Sequence, residues 1–533
     1  MKRLIAIIVI LFTLSSVLIG CGKTKEPAAG STEPTVSSTA PAESVAATDN
    51  PYPIVKEKVT LTVFRVLDPL NGNWNDLDMM KDMEAKTNVH WEEIPATAQN
   101  YLEKKNIAIA TGDLPDVFYM STVAADEDKY GPDGTFIALD ELIAKNGPHI
   151  TKQFAAHPGL KKATTSLDGK VYSLGTACQT ATMGSYYMYI NKTILADAGL
   201  QKPKTVDEFY EVLKALKAKD PSNTPFVDRD LNAVVTPTLM GWFGVASPDA
   251  SYVNVVGGKV SLAYASAGYK AYLEFMAKLY KEKLLNSDFF TITPEQLVAK
   301  IKEGKVAFTQ QAYQGDWKQY EQIVPFTSSL QSKPQAIPVE KYYTGSIAIT
   351  KACKNPDVVI KWFDIFFRDE SEITENGAYG PSLCYGRKGN DWDYLDAEKK
   401  TWDYKFEYPK GENSYLIAIK TRVLGWTPGM IINLANSPDP YMAWVGDNNL
   451  NFYYPSIDEA CYFSSTIRFT DAESQKLGII GTDLKTAIDE YKAKVITGQD
   501  TTASWDAYVS KLKSIGMDEF VQIKQTAYDR FNK

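Results

Sequence analysis

From Lys58 to Met120 the hydrophobic period switches back and forth between two and 3.6, and this constrains the fold more than any other feature of the chain. Lys58–Val66 (KVTLTVFRV) alternates apolar and polar positions with β-branched residues and predicts a strand. Asp76–Thr87 sets apolar residues at helical spacing, Val89–Ile94 predicts a second strand, Tyr101–Ala110 a second helix, and Asp116–Met120 (DVFYM) a short buried strand. Strands that alternate with helices pair most simply in parallel through crossovers, so this order predicts an α/β lobe.

The same grammar continues downstream. Thr205 to Glu208 has capping-box spacing, Val206, Phe209, Val212, Leu213 and Leu216 form one apolar face, and Asp220-Pro221 stops the helix. Ala267–Leu285 predicts another amphipathic helix, Asn355-Pro356 opens a third, and helices are expected at about Asp483–Ile496, Ser504–Ile515 and Glu519–Phe531. Between about Asp369 and Asn451 the pattern is irregular and rich in Tyr, Trp, Gly and Asn. At 533 residues the chain is too long for one core. Its 57 Lys+Arg against 65 Asp+Glu leave a net charge of −8, which argues against a nucleic-acid partner.

The N-terminus sets the compartment. Lys2 and Arg3 precede an apolar stretch from Leu4 to Leu14, and small residues lead to Cys21. This is the layout of an export signal, residues 1–20, and Leu18-Ile19-Gly20-Cys21 resembles a bacterial lipobox, implying a diacylglycerol on the Cys21 sulfur. Two acyl chains suffice for stable attachment to a membrane. Residues 21–55, poor in large apolar side chains up to Asn50, are expected to form a lipidated flexible tether. The remaining cysteines, Cys178, Cys353, Cys384 and Cys461, allow either two disulfides or isolated thiols.

Several segments together resemble the bacterial extracellular solute-binding proteins of family 1, ABC-transporter substrate-binding proteins, in particular the LipO-like lipoproteins of Gram-positive bacteria. Ala110 to Val117 (ATGDLPDV) resembles a conserved element of that family, and Asp168 to Leu174 followed by Tyr189-Ile190-Asn191-Lys192 resembles its crossing strand. Ala198–Leu200 through Pro203–Phe209 resembles the helix after it, and Phe520–Phe531, with Gln525 to Arg530, resembles the closing helix. The resemblance implies an α/β, two-lobed periplasmic-binding-protein-like fold of type II. The lobes are expected at 56–174 plus about 341–430, and at 175–340 plus about 431–533. It also implies an oligosaccharide or related polyhydroxylated solute held in the cleft, delivery to ABC permease subunits, a monomeric state and no cofactor.

A sugar offers CH-rich faces and many hydroxyls, so a cleft needs flat aromatics and planar polar groups. Trp74 and Asn73 lie in the loop after the first strand, and Tyr119 and Ser121 at the carboxyl end of DVFYM, where α/β sheets bind ligands. The resemblance points to Trp317 as the ring that stacks on the sugar, with Asp316 accepting from hydroxyls and Trp242 contributing from the second lobe. Trp426 and Trp444 are further candidates. Arg65 is either a clamp for an acidic sugar's carboxylate or an exposed arginine.

The competing classes are a secreted polysaccharide-acting enzyme and a sugar sensor that transports nothing. No G-x-S-x-G, H-E-x-x-H, P-loop or dinucleotide fingerprint occurs, although 65 acidic residues always permit a glycosidase-like pair. Many LipO-like relatives carry a calcium loop after the helix corresponding to Thr205–Lys219. Here Asp220 to Pro225 is too poor in carboxylates to form one. Asp228-x-Asp230-x-Asn232 has an EF-hand opening, but Ala233 replaces the turn glycine and Leu239 the closing glutamate, so no metal site is expected.

Overall fold

The computed structural model describes residues 52–67, 72–177, 188–230, 235–245, 251–310, 317–337, 340–368, 387, 389–395, 402–407, 440–458 and 461–533. Compactness divides the chain into Met1–Thr48 and Asp49–Lys533, and every described residue belongs to the second unit. Cys21 and the tether up to Pro51 therefore lie outside the described residues.

The first part of the chain builds one sheet. β1 (Val59–Leu67) pairs in parallel with β2 (Val89–Thr97) from Val59↔Val89 to Leu67↔Thr97, and with β3 (Val117–Tyr119) from Val63↔Val117. Their connections are the helices Asp78–Thr87 and Tyr101–Thr111, as the alternating period predicts. β4 (Ser173–Ala177) joins the far edge through a strand from much later in the chain, β10 (Tyr342–Ile349), giving the order β2-β1-β3-β10-β4. That later strand runs antiparallel to both β3 and β4. Leu61, Val63, Trp91, Val117 and Ile347 of this sheet pack against Val359, Trp362 and Phe363 of the helix Pro356–Asp364.

Antiparallel strands organise the second core. β5 (Tyr189–Asn191) lies between β8 (Phe308–Thr309) and β9 (Tyr320–Gln322), while β6 (Val253–Val256) and β7 (Lys259–Leu262) form a hairpin. Around them Phe209, Trp242, Tyr272, Met276, Phe308 and Phe326 pack with Ile488 and Leu512 of the C-terminal helices. Thr205 caps the helix Val206–Lys219 by accepting from the Glu208 backbone N–H, as its spacing predicts. The expected helix at 483–496 begins earlier, at Asp471, because Thr470 and Glu473 form a reciprocal capping box there. Gly478 and Gly481 hide this start in the sequence, since glycine weakens a helical pattern; Gly481 packs where a Cβ would touch Phe520.

A buried carboxylate ties the ends of β4 and β10 to a residue of the second core. Glu127, fully buried on the helix Ala124–Tyr130, accepts from Ser173 Oγ on β4 and from Thr344 Oγ1 on β10 at 2.7 Å. Arg468, between Ile467 and Phe469 of the second core, pairs with Glu127, reaches Asp128 at 3.1 Å and donates to the Ala124 carbonyl at 2.9 Å. Removing one partner of such a buried pair costs about 3–5 kcal/mol, because the other charge is left unanswered.

Among the described residues Cys353 and Cys461 are free thiols, whereas Cys178 and Cys384 lie outside them. Within the same residues no helix is long and apolar enough to cross a membrane, and no group of three or more His, Cys, Asp or Glu side chains is placed to hold a metal ion.

Candidate functional site

The carboxyl end of β3 meets the crossing strands at a cavity of about 320 Å3 lined by Met120, Thr122, Thr176, Tyr343, Thr344, Gly345 and Ser346. Backbone geometry shapes this floor. Met120 takes a left-handed conformation (φ 47°) and donates its N–H to the Ser346 carbonyl at 2.8 Å, which closes the end of the sheet. Gly345 (φ +77°) passes so close to Thr122 that a Cβ would stand 2.1 Å from its carbonyl oxygen, so only glycine fits. A smaller cavity of about 200 Å3 is lined by Tyr342, so neighbouring tyrosines of one strand serve different spaces. Glu340 at that second cavity is already satisfied by Tyr462, Ser464 and Ser465.

On the second core, β5 starts at Tyr189. The Tyr189 ring stacks on Trp444 at 5.3 Å with 22° between planes, and Trp317 sits 5.4 Å from Trp444. Trp317 and Trp444 are half-buried. They come from a short turn before β9 and from the helix Pro440–Asn448, far apart in sequence. The platform therefore brings together two of the expected ligand contacts, and adds Tyr189.

Val227 packs in the same cluster as Tyr189 and Trp444, and the next residue is an unusual carboxylate. Asp228 is fully buried and accepts from the Gln310 backbone N–H at 2.7 Å, just past β8, and from its neighbour Arg229 N–H at 2.9 Å. Burial pushes its carboxyl up to about 7, against the pull of those two donors. Asp230 is committed to the buried Lys492 at 2.8 Å. Both carboxylates of the EF-hand-like spacing are thus engaged by protein, and Asn232 lies outside the described residues.

The other expected contacts are placed differently. Trp74 is 2% exposed, its ring edge-on to Trp91 at 6.1 Å and to Tyr119 at 4.9 Å, so the structure puts it in the first core. Tyr119 is buried with it, and desolvation raises its phenol above the ordinary range. Asn73 is exposed at the start of the Trp74–Asp76 turn, and Ser121 is buried with no hydrogen-bond partner for its Oγ among the described atoms. Trp242 is 1% exposed between Phe209 and Phe326 in the second core. Asp316 and Trp426 lie outside the described residues. Arg65 is neither of the alternatives expected of it. It is 4% exposed, paired with Glu93, and donates to the Gly72 carbonyl at 2.7 Å, which anchors the chain just ahead of Trp74.

Sequence reasoning did not single out Met120, Thr122, Thr176, Tyr343, Thr344 and Ser346. The signal present was Gly345 inside the strand run YYTGSIAIT, since a glycine within a strand marks a bulge or a close approach.

Two α/β cores built from interleaved stretches of one chain, with a cavity at the carboxyl end of the first sheet, have the architecture of a type II solute-binding fold. The comparisons carry this to a family. Residues 78–373 match the model of the bacterial extracellular solute-binding proteins, and the chain belongs to that family, whose members bind solutes for ABC transporters rather than catalyse reactions. It is 24% identical over 507 residues to the fructooligosaccharide ABC transporter substrate-binding protein FusA of Streptococcus pneumoniae, covering 90% of this chain and 91% of that protein. Lipoprotein LipO of Bacillus subtilis is 27% identical over 375 residues, covering 64% of this chain and 71% of LipO. Among solved structures, an HMO-binding, ABC-transporter-associated solute-binding protein from Bifidobacterium longum infantis superposes with a TM-score of 0.74 at 22% identity. That match covers 89% of this chain and 99% of the other. FusA in complex with kestose gives 0.70 at 23% identity over the same shares.

Proposed function

We propose that this protein captures an oligosaccharide or related polyhydroxylated solute in the cleft between its lobes and delivers it to an ABC permease. It does so from the extracellular face of the membrane, as a monomer held there by lipid on Cys21 after removal of residues 1–20. The lobes we assign are 56–174 with about 341–430, and 175–340 with about 431–533. The observation that carries the reading is the pair of half-buried rings Trp317 and Trp444, backed by the buried Tyr189, whose flat faces suit the CH face of a sugar. The cavity at the carboxyl end of β3 supports it, as do relatives whose names record oligosaccharides. Closure is driven by the ligand's better contacts in the closed state, with β4 and β10, tied at Glu127, serving as hinge.

The test is the thermal midpoint of the full chain in a non-glycosidic detergent against oligosaccharides, monosaccharides and short peptides. A ligand at a hundred times its dissociation constant adds roughly 2.7 kcal/mol to stability. A shift from one sugar class, lost on Trp317→Ala and with the sugar recovered intact, is the expected result. A shift from peptides alone overturns the carbohydrate assignment, and recovery of a cleaved sugar overturns the binding role.

A further inference from the structure

We infer that Met120 and Tyr343 are solute contacts of the first core, and that they meet an apolar part of the sugar, a ring CH face or a methyl group. This rests on the sugar-capture reading above and names contacts that complement Trp317 and Trp444 of the second core.

A left-handed backbone is uncommon outside glycine, asparagine and aspartate, because the Cβ crowds the neighbouring carbonyl. Besides Met120, the described non-glycine residues with positive φ are Asn88, Tyr252 and Lys283, and each has a local reason. Asn88 ends the helix Asp78–Thr87, a place where asparagine is common. Tyr252 packs its ring 5.4 Å from Tyr264 against the second core. Lys283 turns the chain after the helix Ala267–Lys281, with its N–H on the Tyr280 carbonyl at 3.1 Å. The Met120 side chain instead stands 42% exposed at the cavity beyond β3. The bond from its N–H to Ser346 would form equally well from glycine, so closing the sheet does not call for methionine. A strained conformation kept at a cavity points to a role for the side chain it holds there.

The rest of the lining faces inward. Thr122, Thr176 and Ser346 are no more than 6% exposed. Thr122 Oγ1 donates to the Gly345 carbonyl at 3.2 Å, the Thr176 and Ser346 hydroxyls bond each other at 3.1 Å, and Thr344 Oγ1 donates to Glu127 at 2.7 Å. Tyr343, 44% exposed, is the other open side chain, on the strand whose register shifts between Tyr343 and Ile347. Such an irregularity re-aims the side chains beside it. A solute at this cavity therefore meets a thioether chain and an aromatic ring. Methionine adapts its shape to apolar surface, and a ring face suits C–H groups. A sugar hydroxyl pressed against either loses water without gaining a partner, which costs about tenfold in affinity.

The experiment screens short oligosaccharides of hexoses, 6-deoxyhexoses and hexuronic acids by thermal midpoint, then titrates the one giving the largest shift into the full chain and its variants by calorimetry. Met120→Gly removes the strain, so its unfolding midpoint should stay within about 3 °C of the unaltered protein while the sugar binds at least about tenfold more weakly. Met120→Leu should bind within about threefold, and Met120→Gln, of similar length but polar, should lose about tenfold. Tyr343→Phe keeps the ring and should also bind within about threefold, whereas Tyr343→Ala should lose about tenfold. Undiminished affinity in Met120→Gly, a midpoint that falls much further, or a Met120→Gln protein that binds as tightly as Met120→Leu overturns the inference. Sugar capture then still stands on the loss of binding in Trp317→Ala. If no oligosaccharide binds the unaltered protein, the sugar-capture reading itself fails, and this inference goes with it.

Discussion

Two clusters of aromatic side chains divide the work of this protein. In the first core Trp74, Trp91 and Trp362 interlock edge to face with Tyr119 and Phe363, with ring centres 4.8–6.1 Å apart and none of the three tryptophans more than 2% exposed. On the second core Trp317 and Trp444 lie at similar spacing yet stay half-buried. The chemistry of the rings is the same, and only the surroundings differ. A ring enclosed on all sides contributes its transfer energy to folding, whereas one still touching water has apolar surface left to bury against a ligand.

The comparison breaks most easily in the first core. Trp362→Ala should cost about 3–5 kcal/mol in denaturant unfolding, because it opens a cavity among Trp91, Phe363 and Phe366. Ligand affinity, measured where the variant is folded, should be unchanged; a large loss there would mean the two clusters are not separate. Trp317→Ala should do the reverse, weakening the ligand by about 10- to 100-fold with less than about 1 kcal/mol lost from stability.

A smaller effect comes from Asp228, whose contact with Gln310 supports the end of β8. Its carboxyl is raised from 3.8 to about 7, so the native state holds a proton that the unfolded chain has released. The stabilisation from that proton is complete below 3.8 and is lost as pH rises through 7. The protein should therefore be about 1 kcal/mol less stable at pH 8 than at pH 6 from this group alone, and Asp228→Asn should flatten that slope. Equal slopes in both proteins would assign the change elsewhere. Trp444→Phe, which keeps a ring against Tyr189, should be the mildest change, costing less than about tenfold in affinity and little stability. A larger loss would make the indole of Trp444, rather than its flat face, the contact that matters.

The sequence was most legible where the signal is local. Strand and helix periods placed β1 to β3 and their helices within a few residues, and the Thr205 capping box marks its helix start as observed. It was least legible for the site. Trp74 and Trp317 both follow strands near loops rich in Asn, Gly and Asp, and nothing local tells a ring that turns inward from one that stays at the surface. Arg65 illustrates the same limit, since its partner Glu93 lies on the neighbouring strand, where only the parallel register of β1 and β2 brings the two together.

What the sequence by itself determined is the α/β grammar and, through the residues that resemble its family, the kind of protein this is. Both are written in short-range patterns of period, capping and turn chemistry. The tertiary structure alone decided which tryptophans are core and which form a platform, that Tyr189, Trp317 and Trp444 pack together, and that Glu127 joins β4 and β10 to Arg468 of the second core. Those facts depend on contacts between residues from 17 to 341 positions apart, brought together by packing and not by neighbours in the chain.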